Sequence, residues 1–292
     1  MMDVLHSIDV AGWSGPFAAD TQEGACDALE SGRLLFFPHL EFRLAEHERL
    51  LLTPDVSDGK SKNVSLKGSG ELGGTSCTGE QASLLQQMME RFARDAARLV
   101  EALIPAYANR LARAPTSYRP VEIAGRSASA IHDDTRLHID AFPSRPMRGK
   151  RILRLFSNIH PGGAPRVWHV GEPFEAMARR FLPAAREGSP AQAWMMNLLG
   201  VTKGRRSAYD WLMLGLHDGA KLDAEYQQRC AQTEIGFRAG STWICFTDQV
   251  MHAALAGQYV LEQTFHIEVD AMVAPDRAPL RVLERLRGHA LV

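Results

Sequence analysis

The sequence predicts an antiparallel β barrel or sandwich with helices packed outside it. Two observations carry this. From Pro120 onward the apolar residues fall into short, β-rich runs bounded by Gly, Pro, Asn or Asp. Those runs do not alternate regularly with helices, and no G-x-G-x-x-G or phosphate-binding loop lies among them, which disfavours a parallel nucleotide-binding sheet.

Taken in order, GRLLFFPHL (32–40) reads as a short buried strand. The stretch 53–76, rich in Gly, Ser, Asp and Lys, reads as a long loop. From Ser83 to Leu111 a helix is expected, because Leu85, Met88, Met89, Phe92, Leu99, Val100 and Leu103 recur at three- and four-residue spacing. VEIAG (121–125), RLHIDAF (136–142), RILRLFSNI (151–159), PRVWHVG (165–171), STWICF (241–246) and QYVLEQTFHIEV (258–269) read as strands. Two helical stretches, 172–182 and 207–230, lie between them.

The 292 residues allow one large or two ordinary domains, and the 45% hydrophobic content suits a globular protein with a substantial core. A net charge of −1 argues against non-specific nucleic-acid binding. The four cysteines form no C-x-x-C pair, so a structural zinc site is not expected. The start lacks the pattern of a signal peptide, and no apolar run reaches membrane-spanning length. A reducing, cytoplasmic setting follows as the expectation.

His-x-Asp/Glu spacing occurs at His132, His138 and His266 among others, and with 11 histidines about one such match is expected by accident, so context must choose between them. In RLHIDAF, Leu137 and Ile139 share one strand face, while His138 and Asp140 share the other. His132-Asp133-Asp134 favours a turn. His266 and Glu268 sit on the polar face of an alternating strand and are expected to face solvent.

Two imidazoles and one carboxylate hold iron on one face of an octahedron and leave three positions for an oxo acid and O₂. His252, which opens the segment returning from the turn Thr247-Asp248-Gln249, is the best third ligand. An oxo acid also needs a cation or strong donors for its far carboxylate. None follows His252 at the usual interval of about ten residues. Gln263 stands there instead, on the apolar and expected inward face. Arg154, alternating with Ile152 and Phe156, is the candidate cation, with Asn158 on the same face.

The runs 133–183, 208–227 and 237–265, together with KSKNVSL (60–66), closely resemble the bacterial Kdo hydroxylases, where Kdo is the eight-carbon acidic sugar of lipopolysaccharide. The resemblance covers most of the chain from Lys60 onward. It implies a mainly β fold with supporting α-helices, a double-stranded β-helix (jelly-roll, cupin-like) core flanked by helices. It implies one oxygenase domain over 1–292, with 1–118 as N-terminal support, 119–270 as the core carrying a helical insertion at 171–230, and 271–292 as a tail. It implies Fe(II), with 2-oxoglutarate and O₂ as cosubstrates, held at His138, Asp140 and His252. The implied reaction is hydroxylation of Kdo at C3 on a Kdo–lipid A precursor, giving Ko, succinate and CO₂. Such a substrate calls for cations at the site mouth, and Lys60, Lys62, Arg145 and Arg148 are the candidates. Contact with the inner membrane would be peripheral, and no protein partner is expected. The alternatives are an oxygenase of the same superfamily with another substrate, a non-catalytic cupin-like binding protein, and a metal-free barrel.

Overall fold

The computed structural model describes residues 3–126 and 128–292. The N-terminal part contains β1 (Leu5–Ser7), α1 (Ala19–Glu30), β2 (Leu34–Phe37), β3 (Val64–Leu66), β4 (Leu72–Gly73), α2 (Gly79–Leu103) and β5 (Ala112–Arg119). Then follow β6 (Arg151–Asn158), β7 (Arg166–Val170), α3 (Phe174–Phe181), α4 (Pro190–Leu198), α5 (Ala208–Leu222), α6 (Ala224–Arg229) and β8 (Thr233–Phe237). The chain ends with β9 (Thr242–Phe246), β10 (His252–Ala256), β11 (Val260–Ile267) and α7 (Pro279–Arg287).

The strands form two sheets. The larger runs β1-β2-β9-β6-β11-β5-β3-β4, and the smaller runs β10-β7-β8. Pairing is antiparallel throughout, except between β1 and β2. The two-residue period of the strands sorts their side chains into layers. Leu153, Leu155, Ile244, Phe246, Leu261 and Phe265 lie on one face of the large sheet, in one apolar cluster with Leu85, Met88, Phe92 and Leu99 of α2. Phe156, Trp243 and Val260, on the opposite face, pack with Trp168, Ile235, Phe237 and Ala254 of the small sheet. Leu137, Ile139 and Ala253 pack outward into a third cluster with α3, α5 and α7. The centre of the large sheet is therefore covered on both sides, the small sheet is covered on its outer face only along β10, and the space between the two sheets is the interior of the molecule.

Several expectations change. The helix ends at Leu103 rather than Leu111, because Pro105 has no N–H to donate and its ring drives Ile104 out of helical geometry, to φ −125° and ψ 82°. The residues beyond it form β5, a strand obscured by Pro115. The register between β5 and β11 shifts between Gln263 and Phe265, and this irregularity accommodates the proline. The loop 53–76 contains the small β3–β4 hairpin. A G-x-G-x-x-G spacing at Gly68, Gly70 and Gly73 falls in that hairpin and not between a strand and a helix, so it is no dinucleotide fingerprint. VEIAG is a turn rather than a strand, with the Glu122 carboxylate accepting from the Ile123 and Ala124 amides. The helical stretch 207–230 breaks at Asp223, whose side chain caps α6. Positions 271–292 carry α7, which buries Leu280, Val282 and Leu283.

His266 does not face open solvent as expected, although Glu268 does and pairs with Lys150 at 2.6 Å. Burial first, then Lys150, Arg154 and Arg145, push the His266 imidazole down to about 4. The unfolded chain holds that proton up to about 6.5. The folded state therefore binds fewer protons between these values, and stability falls as the pH drops from 7 towards 4. Replacing His266 with Gln should remove roughly 1–2 kcal/mol of the loss between pH 7 and pH 5. Parallel denaturant melts at the two pH values measure it, and equal slopes in the two proteins would refute it.

Candidate metal centre

RLHIDAF does not form a full strand. Only His138 bridges to the small sheet, antiparallel to His252 at the start of β10. The bridge is reciprocal, with His138 N donating to His252 O at 3.0 Å and His252 N donating to His138 O at 2.8 Å. Asp140 N donates to Thr247 O at 2.7 Å, which fixes the other end of the segment. Alternation survives this local pairing. Leu137 and Ile139 point outward among the helices, and His138 and Asp140 point inward.

His138, Asp140 and His252 each bring one ligand atom to within 4.8 Å of the others. The protonation pattern suits a metal. His138 Nδ1 lies 2.8 Å from Arg136 O, and His252 Nδ1 lies 2.9 Å from Val250 O. A carbonyl only accepts, so each Nδ1 carries the proton and each Nε2 keeps a free lone pair. Burial lowers both imidazoles, with the neighbouring histidine adding to the effect at His138. Asp140 stays ionised. Burial raises its carboxyl, but Arg154 and the two histidines outweigh that and hold it below the usual range. Asp140 Oδ2 is 3.1 Å from Arg154 Nη2, yet it accepts no well-directed hydrogen bond. A buried carboxylate oxygen left free beside two free imidazole nitrogens fits a divalent cation.

The ligands line a cavity of about 70 Å³ between the sheets. Arg154, Arg119 and Arg166 also line it, with Trp168 and Asp134. Arg119 donates to Glu262 through Nε at 3.0 Å and Nη2 at 2.7 Å. Arg154 Nη1 lies 3.1 Å from Glu262 Oε1, so Arg119, Glu262, Arg154 and Asp140 form one chain of alternating charge. Arg166 differs. Nη1 donates to Gly257 O at 2.7 Å, Nε has no partner, and no carboxylate pairs with it among the described residues. Burial, then Arg119, push it down to about 9. Trp168 stacks on His252 at 5.2 Å and leaves its buried indole N–H without a partner.

Arg154 is thus in the cavity, as the sequence predicts, but both its charged contacts are carboxylates of the protein. Asn158 and Gln263 are not brought there. Asn158 Nδ2 donates to Ala164 O and Phe237 O, while Oδ1 accepts from His160 N. Gln263 faces away, donating to Ala114 O and accepting from Thr116 Oγ1. The apolar face of β11 turns to the helices, so its polar neighbour Glu262 is the inward residue. Lys62 reaches the cavity's edge through Asp134 Oδ1 at 2.9 Å, whereas Lys60, Arg145 and Arg148 stand exposed. The signal for the unforeseen residues was a charge sharing a strand face with a large apolar side chain: Arg166 with Trp168, and Glu262 with Val260.

Two histidines and one carboxylate on a β framework are the donor set of the non-haem iron(II) oxygenases. Within that class, the chain belongs to the 3-deoxy-D-manno-oct-2-ulosonic acid (Kdo) hydroxylase family, which it matches over residues 13–290. A crystal structure of the Kdo hydroxylase KdoO, described as a non-heme Fe(II) alphaketoglutarate dependent dioxygenase and holding alphaketoglutarate and Fe(III), is 45% identical. The match covers 99% of this chain and 97% of that one, with a TM-score of 0.95. The cobalt(II) complex of KdoO is 46% identical over 99% and 98% of the two chains, with a TM-score of 0.96. The complex with succinate and Fe(III) is 45% identical over 99% and 98%, with a TM-score of 0.95. No curated protein matches the chain.

Proposed function

We propose that this protein hydroxylates Kdo at C3, giving Ko, on a Kdo–lipid A precursor, using Fe(II), 2-oxoglutarate and O₂. The observation that carries this reading is the convergence of His138, Asp140 and His252 in a cavity ringed by arginines, in a chain of the Kdo hydroxylase family. The large-sheet order β9-β6-β11-β5, facing β10-β7-β8, supports a double-stranded β-helix core in a single oxygenase domain.

In this reading His138, Asp140 and His252 hold the iron, which supplies O₂ activation coupled to decarboxylation of the oxo acid. Arg154 and Glu262 fix the direction and charge of Asp140. Arg166, the cation without a carboxylate, takes the far carboxylate of 2-oxoglutarate. The aromatic wall of Phe156, Trp168 and Trp243 keeps that end of the cavity dry. Lys60, Lys62, Arg145 and Arg148 meet the acidic sugar and phosphates outside. Because that substrate is a glycolipid, the enzyme works at the cytoplasmic face of the inner membrane. No described helix is long and apolar enough to cross a bilayer, which supports peripheral contact.

The test is succinate release from 2-oxoglutarate with Fe(II) and O₂, with and without Kdo–lipid A. Strong stimulation by the glycolipid is expected. Iron-dependent turnover indifferent to it would overturn the substrate, and no turnover at all would leave a binding protein.

A further inference from the structure

Ten large apolar side chains stand exposed among the described residues, and five of them fall between positions 194 and 201. Trp194, Met195, Leu198, Leu199 and Val201 are each between 49% and 69% exposed. They sit on α4 and the turn after it. Such clustering separates a built patch from the scattered apolar residues that any surface shows. In a chain that buries its other tryptophans at least in part, exposing Trp194 beside two leucines and a methionine is a cost that a bound partner would remove.

The charges around the patch indicate which partner. From Ser189 to Tyr209 there is no Asp or Glu, but Lys203, Arg205 and Arg206 are present. Lys203 N donates to Ser144 O at 2.8 Å, and Arg206 donates to Pro143 O. These bonds fasten the patch to the loop that follows Asp140, which adds Arg145 and Arg148 and again no acid up to Arg148. Arg145, Arg148, Lys203 and Arg205 are all exposed, and none pairs with a carboxylate among the described residues. An apolar surface with an interfacial tryptophan, rimmed by unpaired cations, matches an anionic bilayer surface in both chemistry and sign.

We infer that α4 and its following turn, with the 143–148 loop, form the face by which this enzyme docks on an anionic phospholipid membrane. The inference rests on the peripheral-membrane reading above and names the surface responsible. Trp194, Leu198 and Leu199 enter the headgroup region, and the four cations lie against the lipid phosphates. The loop carrying the metal ligand Asp140 then faces the membrane that presents the glycolipid.

Co-sedimentation of the full chain with vesicles of phosphatidylcholine, with and without about one-third phosphatidylglycerol, tests this. Retention on the anionic vesicles, weakened by salt, is expected. Both Leu198→Ser/Leu199→Ser and Lys203→Glu/Arg205→Glu should reduce it about tenfold or more. Co(II) binding and thermal melting should stay unchanged in both, which excludes misfolding. If the wild type binds and both variants bind equally well, this surface is wrong and the peripheral reading stands. If the wild type binds neither vesicle, the peripheral reading fails and takes the surface with it. If the leucine variant instead abolishes self-association seen in sedimentation velocity and leaves vesicle binding intact, the patch is an interface between copies and the membrane assignment is overturned.

Discussion

Replacing Asp140 with Ala should lower Fe(II) or Co(II) affinity and succinate formation by about 10³-fold or more, beyond the 10–100-fold usual for losing an outer-shell partner. Asp140 supplies the only carboxylate of the ligand set. Its Oδ2 is buried and accepts no hydrogen bond, and its one charged neighbour at that oxygen, Arg154, lies at 3.1 Å and is shared with Glu262. The fold should survive. Arg154 keeps Glu262 at 3.1 Å, so removing Asp140 does not strand a buried cation. Asp140→Asn should fall between the two, because the amide keeps an oxygen donor but loses the negative charge that balances the metal. Titration with Co(II), read by its visible absorption, separates binding from turnover. Wild-type affinity in Asp140→Ala would remove Asp140 from the ligand set, and a large drop in melting temperature would make the experiment one about folding.

The convergence of His138 and Asp140 on one side was legible because alternation is a local property. Leu137 and Ile139 need burial, so His138 and Asp140 must point the other way, even though the segment makes only one bridge to the sheet. Arg119, Arg166 and Glu262 were not legible in the same way. Alternation on β11 shows that Glu262, Thr264 and His266 share a face, but not whether that face meets water or an interior. Polar residues suggest water. Here helix α2 covers the apolar face of the strand, and the polar face looks into the space between the sheets. With both faces buried, polarity marks the cavity. The same ambiguity put Gln263 inside by expectation, when Thr116 and Ala114 hold it on the helix side. Strand β5 was hidden for another reason: Pro115 argues against a strand unless the register irregularity beside it is known.

The cation proposed to receive the oxo acid is argued from charge balance, and it yields the second large effect. Arg166→Met should raise the KM for 2-oxoglutarate about 30-fold or more, since truncating one member of a buried, hydrogen-bonded charge pair costs about 2–5 kcal/mol. Metal affinity should not change, because Arg166 touches neither Asp140 nor a histidine through any hydrogen bond or ion pair in the structure. Without the oxo acid the variant should be at least as stable as the wild type. It loses a guanidinium that is 3% exposed, lacks a carboxylate and leaves Nε unsatisfied, and such a group opposes folding. With saturating oxo acid the order should reverse, because the wild type gains the ligand's binding energy and the variant gains little. Arg119→Met is the control. Arg119 already neutralises Glu262 jointly with Arg154, so its loss should unbalance that carboxylate and lower stability whether or not the oxo acid is present. Thermal melts of the three proteins with Co(II), with and without 2-oxoglutarate, read out this crossing pattern without relying on turnover. A melting shift on adding oxo acid that persists in Arg166→Met and disappears in Arg119→Met would move the anchor to Arg119.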